Sequence, residues 1–442
     1  MTYQEAARYV EGLAILGMRF GLERMRRLLA ALGEPQRVAP AIHVVGTNGK
    51  SSTTRIAAAA LRSQGLLAGA YLSPHISDWR ERIEVDGRPV ARAEFAAAIE
   101  RVREAVEGLR LAPDDAVTQF EVLTAAGFVA FARAGVEAMV VEAGLGGRHD
   151  ASNVLAPDAV VALTNVALEH TELLGNTEAE IAAEKLAVAV DGSDRLVVGR
   201  LAPRAREAVA AAMAARGLDG WLVGRDVLVE PRDAAVDLLT PLGAYRALPL
   251  ALNGGFQRDN LAVALAACER RLGRTLEGTP LRRALRAVRM PGRLEVLPGE
   301  PVVVLDGAHN PAGMEALVES LPGLVGRRRP VAVLSVLDDK DAAAMVASLA
   351  RHARAVVATR STHPRAAAPE TLVHLARIAG LDALAVEPPE AAVMAARRLA
   401  GARGAVVICG SLYLLADLRS HLVGAAAGPP DMLAPKISRE SR

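Results

Sequence analysis

Hydrophobic positions along the chain fall into two periods, and the switch between them marks out repeated strand–turn–helix units. Short, mainly apolar runs at 42–45, 138–141, 159–165, 302–305, 331–335, 355–359 and 404–408 are near-continuous rather than alternating, which predicts strands buried on both faces. Between them lie segments with apolar residues three and four apart, predicting helices at 2–16, from Gly21 to Gly33, from Lys50 to about Leu66, and at 92–108, 118–134 and 261–271. Thr2-Tyr-Gln-Glu5 has the capping-box spacing for the first of these. A break is expected at 113–115, a turn at Asp86-Gly87, and small β elements among the short alternating runs of 190–250. Strands alternating with helices imply parallel sheets, so the fold class is α/β. Turn formers cluster at Leu297-Pro-Gly-Glu-Pro301, after which the pattern restarts. The expected domains are therefore 1–297 and 298–427, with a frayed tail at 428–442 rich in Pro and charge.

Composition narrows the class. With 442 residues, 51% hydrophobic and 23% charged, the chain has ample core for two or three soluble domains. The balance of 52 Lys+Arg against 50 Asp+Glu gives no broad preference for nucleic acid, and Arg327-Arg-Arg329 reads as a solvated loop. Glu5, Arg8 and Glu11 stand where a signal peptide would be apolar, and no uncharged run approaches the roughly 18–20 residues of a membrane span. Two distant cysteines, Cys268 and Cys409, suit a reducing compartment rather than a disulfide framework. The expectation is a cytoplasmic protein with neither nucleic-acid nor membrane partners.

The chemistry concentrates at Gly46-Thr-Asn-Gly-Lys-Ser51. A β-rich run feeds this tight turn, and an Ala-rich helix leaves it. Glycines let successive N–H groups curl inward, and the helix dipole adds positive potential at the same place. Val44 stands where the first glycine of a full G-x-x-x-x-G-K-[ST] loop would be, so this is a contracted form. Asn48, Gly49, Lys50 and Ser51 are expected to hold nucleotide phosphates. Glu142 closes a buried run and is followed by glycines, the pattern of a Mg²⁺-holding position beside a phosphate loop; a surface glutamate before a turn is the plainer alternative. Taken singly, His170 reads as a structural histidine, Lys185 as a helix-surface charge, Arg293 as a linker charge and Asp306 as a strand-end cap. No G-x-G-x-x-G follows the first strand of the second domain, so no dinucleotide cofactor is expected.

Together these motifs resemble the dihydrofolate synthase/folylpolyglutamate synthase family within the Mur ligase group. The resemblance runs from Leu13 to about Arg419. It rests on ordered stretches: Gly21-Leu-Glu-Arg24, Gly46-Thr-Asn-Gly-Lys50, Ser73-Pro-His75, Arg80-Glu-Arg-Ile83, Thr118-Gln-Phe-Glu121, the segments from Glu142 to Asn153 and from Asn165 to His170, Glu184-Lys185, Met290-Pro-Gly-Arg293, Asp306-Gly-Ala-His-Asn-Pro311 and Gly410-Ser-Leu-Tyr413. About 45 residues precede the phosphate loop, too few for the additional N-terminal domain of the Mur peptidoglycan ligases.

The resemblance implies a P-loop ATPase-type domain followed by a smaller Rossmann-like domain, and an ATP-dependent amide ligase. L-Glutamate would be joined to dihydropteroate, or to the terminal glutamate of a reduced folate, through an acyl phosphate with release of ADP and phosphate. A polyglutamate-only enzyme, another Mur-type amide ligase and a nucleotide-binding switch are the alternatives. It further implies two Mg²⁺ ions held by Ser73, Glu142 and His170, an N6-carboxylated Lys185, and Asn260, Arg293, Asp306 and His309 on ATP. Thr118, Gln119, Phe120, Glu121, His149, Asp150 and Ala151 would form the pterin-carboxylate pocket, and Arg365 and Ser411 would be candidates for glutamate. A monomer is expected. The chain departs from the family at Ser51, where glycine is usual, and at Phe256, where histidine is common.

Overall fold

The computed structural model describes residues 1–17, 19–112, 115–232 and 235–426. The expected tail at 428–442 lies outside them, as does the expected break at 113–115 apart from Asp115. The chain divides into two compact units, Met1–Met290 and Pro291–Arg442.

The first unit is built on β1 (Ala41–Val45), β2 (Ala68–Tyr71), β3 (Ile83–Val85), β4 (Arg88–Pro89), β5 (Ala138–Glu142), β6 (Val160–Leu163), β7 (Leu196–Val198) and β8 (Gly220–Leu222). Among the described residues they form one sheet in the order β4-β3-β2-β5-β1-β6-β7-β8. From β2 through β8 the pairs are parallel, while β3 and β4 add an antiparallel edge. Helices cover both faces, which is why the strands read as unbroken apolar runs. Ile42 and Val44 of β1 pack with Ile56 and Leu61 of the Lys50–Ser63 helix and with Leu261 and Leu265 of the Gln257–Leu272 helix. Val45 points the other way, into a cluster with Leu163, Ile181 and Leu186. The small β elements expected in 190–250 include an antiparallel sheet of β9 (Leu228–Arg232), β10 (Ala235–Leu239) and β11 (Ala244–Pro249), in the order β11-β10-β9.

Local signals hold where they were strongest. Thr2 and Glu5 make the reciprocal capping box at the head of the Tyr3–Gly12 helix. Thr118 and Glu121 do the same for the Gln119–Ala134 helix. Glu121 is buried, and the Arg24 guanidinium pairs with it at 3.3 Å. Two stretches that lie 97 residues apart thus meet through one ion pair. Arg24→Ala leaves that carboxylate without its cation, and urea unfolding should show a loss of about 2 kcal/mol. An unchanged midpoint would mean the pair contributes nothing.

The second unit holds β12 (Glu295–Leu297), β13 (Val302–Leu305), β14 (Val331–Leu334), β15 (Ala355–Ala358), β16 (Asp382–Ala385) and β17 (Ala405–Cys409), in the order β12-β13-β17-β14-β15-β16. All pairs are parallel except β12 with β13. This corrects the boundary expected at 297/298. The turn formers at 297–301 are not an interdomain linker: Glu295, Val296 and Leu297 pair antiparallel with Leu305, Val304 and Val303, so the cluster is a hairpin turn inside the second unit. Among the described residues no helix is long and apolar enough to cross a membrane.

Candidate active site

Four neighbouring strands deliver the predicted residues to the carboxyl edge of the first sheet, where parallel α/β sheets bind ligands. In sheet order, Ser73 follows β2, Glu142 ends β5, the Gly46–Ser51 turn follows β1, and Thr164 and Asn165 follow β6.

The turn is held by its neighbours. Thr47 N–H donates to the Asn165 carbonyl at 3.1 Å, Asn48 N–H to Asn165 Oδ1 at 2.8 Å, and Thr164 Oγ1 to the Asn48 carbonyl at 2.6 Å. Glycine is required twice. At Gly46, φ is 145° and a Cβ would collide with Thr164 Oγ1; at Gly49, φ is 83° and a Cβ would collide with Asn260 Oδ1. The Lys50–Ser63 helix then opens on Gly49 with no side-chain cap, so its first-turn N–H groups are available to an anion at the turn. Lys50 Nζ donates to the carbonyls of Gly46 (3.0 Å) and Thr47 (3.1 Å).

Glu142 is only 1% exposed, yet it reaches two of the predicted positions. Its Oε1 accepts from Ser51 Oγ at 2.8 Å and its Oε2 from Ser73 N–H at 3.1 Å. The reading as a surface glutamate is therefore set aside. Ser51, the departure from the family pattern, is what supplies the hydroxyl. Arg82 adds contacts to Ser73 Oγ (3.5 Å) and His75 Nδ1 (3.0 Å), bringing the Ser73-Pro-His75 and Arg80-Glu-Arg-Ile83 stretches together.

Lys185 is 1% exposed, so it is no helix-surface charge. Its Nζ donates to the same Gly46 carbonyl as Lys50, at 3.0 Å. Burial, and then the Lys50 charge, lower its pKa to about 7, against the opposing pull of Glu169, Asp150 and Glu184. His170 has φ 48° at the head of the short Thr171–Leu174 helix, with Nε2 3.8 Å from Glu169 Oε1. Among the described residues no three His, Cys, Asp or Glu side chains form a ready-made metal cage. One buried carboxylate beside hydroxyls and a phosphate loop is nevertheless the sparse protein contribution Mg²⁺ takes, since it keeps waters and substrate phosphates as ligands.

Asn260 comes from the Gln257–Leu272 helix onto the turn, with Nδ2 bonded to Gln257 Oε1 at 2.9 Å; Gln257 Nε2 bonds Ser52 Oγ at 3.2 Å. The expected pocket residues divide into two groups. Thr118 and Glu121 form the capping box, and Gln119 Nε2 donates to the Val10 carbonyl at 2.9 Å. Phe120, by contrast, lies against Gly144 and Tyr71, buried Asp150 accepts from Leu145 N–H at 2.8 Å, and Ala151 is buried beside it. His149 is exposed, its ring facing Phe20 with centroids 5.8 Å apart.

In the second unit, Arg293, Asp306 and His309 converge. The Arg293 guanidinium lies where a side chain on Gly307 would be, and His309 Nδ1 is 2.8 Å from the Gly307 carbonyl. Asp306 is buried and accepts from Leu294 and Ala308 N–H, both at 2.8 Å. Burial pushes its carboxyl up, opposed first by Arg293. Arg365 is 3.4 Å from Asp339, and buried Ser411 Oγ accepts from Tyr413 N–H at 3.1 Å.

Sequence reasoning missed Phe20, Thr164, His43 and Ser152. An exposed aromatic just before Gly21-Leu-Glu-Arg24 was a usable signal for Phe20; the other three owe their places to contacts more than 100 residues away along the chain.

Comparison with known proteins adds independent findings. The Mur ligase middle domain family profile matches residues 44–268, and the Mur ligase glutamate ligase domain profile matches residues 292–412. A Bacillus subtilis protein named dihydrofolate synthase/folylpolyglutamate synthase is 32% identical over 95% of this chain and 99% of its own length. A Halobacterium salinarum protein named probable bifunctional folylpolyglutamate synthase/dihydropteroate synthase is 37% identical over 95% of this chain, which spans only 52% of that relative. Among solved structures, Mycobacterium tuberculosis folylpolyglutamate synthase complexed with ADP is similar with TM-score 0.87 and 33% identity, covering 95% of this chain and 99% of that one. The Yersinia pestis bifunctional folylpolyglutamate synthase/dihydrofolate synthase complexed with AMPPNP and Mn ion is similar with TM-score 0.84 and 27% identity, covering 96% of this chain and 98% of that one.

Proposed function

The chain belongs to the dihydrofolate synthase/folylpolyglutamate synthase family of Mur ligases, and on that premise we propose that it is an ATP-dependent ligase adding L-glutamate to dihydropteroate, to the γ-carboxyl of reduced folates, or to both. The observation that carries this reading is the buried Glu142 carboxylate bridging Ser51 of the phosphate turn and the backbone of Ser73.

A carboxylate is a poor acyl donor because its oxide is a strongly basic leaving group. In the proposed reaction an acceptor carboxylate oxygen bonds the γ-phosphorus of ATP as the β–γ bridging bond breaks, releasing ADP. The glutamate amine then attacks the acyl carbonyl, an amide bond forms, and inorganic phosphate leaves with the mixed anhydride's bridging oxygen. The protein's part is placement and charge neutralisation. Lys50, the first-turn amides and Ser51 hold the phosphates and Asn260 closes over the turn; Arg293, Asp306 and His309 are the further residues proposed for ATP. Ser73, Glu142 and His170 would hold two Mg²⁺ ions, whose chemistry is to neutralise the phosphate charge. Phe120, His149, Asp150 and Ala151, with Thr118, Gln119 and Glu121 behind them, form the acceptor pocket, and Arg365 and Ser411 serve glutamate. Cys268 and Cys409 are both buried and free, which supports a cytoplasmic setting, and the chain is taken to act as a monomer.

The test is ADP release by the purified protein with Mg-ATP, glutamate and a panel of acceptors. Release with both dihydropteroate and tetrahydrofolate is expected. Release with tetrahydrofolate alone makes it a polyglutamate-only enzyme, and release with neither overturns the ligase reading.

A further inference from the structure

A buried hydrogen-bond chain beneath the proposed acceptor pocket has no part in phosphoryl transfer. His43 Nε2 lies 2.8 Å from Ser152 Oγ, and Ser152 Oγ lies 2.5 Å from Asp150 Oδ1. His43 is 2% exposed and Ser152 fully buried. The links join β1, immediately before the phosphate turn, to the loop leaving Glu142.

The direction of the chain follows from counting protons. Asp150 Oδ1 also accepts from Ser152 N–H at 2.9 Å, and Oδ2 accepts from Leu145 N–H at 2.8 Å. A carboxylate surrounded by donors is an acceptor only, so the one Ser152 hydroxyl proton goes to Asp150. The Ser152 oxygen must then accept from His43, which places the imidazole proton on Nε2. Burial lowers the His43 pKa to about 4, so this ring is a neutral donor at physiological pH. Burial also pushes the Asp150 carboxyl up from its usual range, and donors from Ser152, Leu145 and Gly144 oppose that.

We propose that His43 is a positioning residue: by donating through Ser152 it keeps Asp150 an ionised acceptor in one orientation, pinning the Gly144-Leu145 turn against Phe120 in the proposed acceptor pocket. This rests on the ligase reading above. It makes His43 a determinant of acceptor binding rather than of ATP binding, although His43 lies closer in sequence to the phosphate turn.

Steady-state kinetics of His43→Leu, His43→Gln and Ser152→Ala test it. His43→Leu should raise KM for dihydropteroate about 10-fold, with KM for ATP within about twofold of wild type. His43→Gln, whose amide can still donate, should stay within about threefold, and Ser152→Ala should match His43→Leu. Unchanged acceptor KM in His43→Leu, or an equal rise in both KM values, overturns the proposal. Should His43→Leu fail to fold, histidine-ring ¹⁵N NMR of the wild-type protein decides: a neutral Nε2–H ring that does not titrate between pH 5.5 and 8 supports it, and an Nδ1–H ring overturns it. Failure of the ligase reading appears separately, as a wild-type protein that releases no ADP with any folate acceptor.

Discussion

Lys50→Ala lowers kcat/KM by at least ~10²-fold, equivalent to about 2.7 kcal/mol of transition-state stabilisation. Lys50 is the first residue of its helix, and its ammonium is aimed by the carbonyls of Gly46 and Thr47 at 3.0 and 3.1 Å. Those bonds fix a positive charge at the mouth of the turn, where charge shifts as the γ-phosphoryl group transfers. A preorganised charge of this kind acts mainly on the transition state, so kcat should fall more than KM for ATP rises. Gly46 and Thr47 are buried, but the Gly46 carbonyl keeps Lys185 Nζ as a donor, so the folding cost is confined to the Thr47 carbonyl, about 1–3 kcal/mol. A thermal midpoint within a few degrees of wild type, together with the kinetic loss, separates the catalytic role from a structural one. Lys50→Arg should recover only part of the rate, since a planar fork replaces a compact point charge. Near-normal turnover in Lys50→Ala would be incompatible with the assignment.

How far this site could be read beforehand follows from the range of the interactions that build it. The strand, turn and helix of the phosphate loop are local, and 41–63 carries their whole signature. The contacts that complete the loop are not local. Asn260 meets Gly49 because the Gln257–Leu272 helix packs on the Lys50–Ser63 helix, and periodicity reports a helix but not its neighbour. Glu142 was legible as a strand-end carboxylate, whereas its bonds to Ser51 and Ser73 depend on β5 lying between β1 and β2. Lys185 shows the limit most plainly: a lysine between Glu184 and Leu186 has the local pattern of a solvated helix face, and only the sheet beneath makes it buried. The boundary error had the opposite origin. Pro298, Gly299 and Pro301 are true turn formers, but a hairpin and a linker need the same residues, and only the pairing of Glu295–Leu297 with Val302–Leu305 tells them apart. Edge strand β16 is largely exposed, and its short Ala383-Leu-Ala-Val386 run has too few β-branched residues to stand out as a strand.

Lys185→Ala should reduce kcat/KM by about 10²-fold, with partial rescue by a short carboxylate such as acetate or formate, for which the truncated side chain leaves room. The reason lies in what a buried amine can become. Carboxylation by CO₂ requires the neutral form, and at a pKa of about 7 roughly half the side chains are neutral near pH 7, against about one in two thousand five hundred at the ordinary ~10.4. Carboxylation would turn a cation crowded against Lys50 into an anion, replacing repulsion between the two side chains with attraction. As pH falls through about 7 the amine protonates and a carbamate formed on it would be lost, so activity should drop on the acid side. Protein held at pH 6 in CO₂-free buffer should regain rate when bicarbonate is restored at pH 8. A carbamate signal in ¹³C NMR with labelled bicarbonate, absent in Lys185→Met, is the direct check. Stability provides the control, with a definite sign. The folded pKa lies below the reference value of 10.5, so between the two the unfolded chain binds more protons and the unmodified lysine destabilises the fold most fully below about pH 7, less as pH rises. Lys185→Met removes that penalty, and in CO₂-free buffer at pH 7 it should unfold at no lower temperature than wild type. An inactive but stable variant that no carboxylate rescues, with no carbamate signal in the wild-type protein, would leave Lys185 as a cation serving ATP directly.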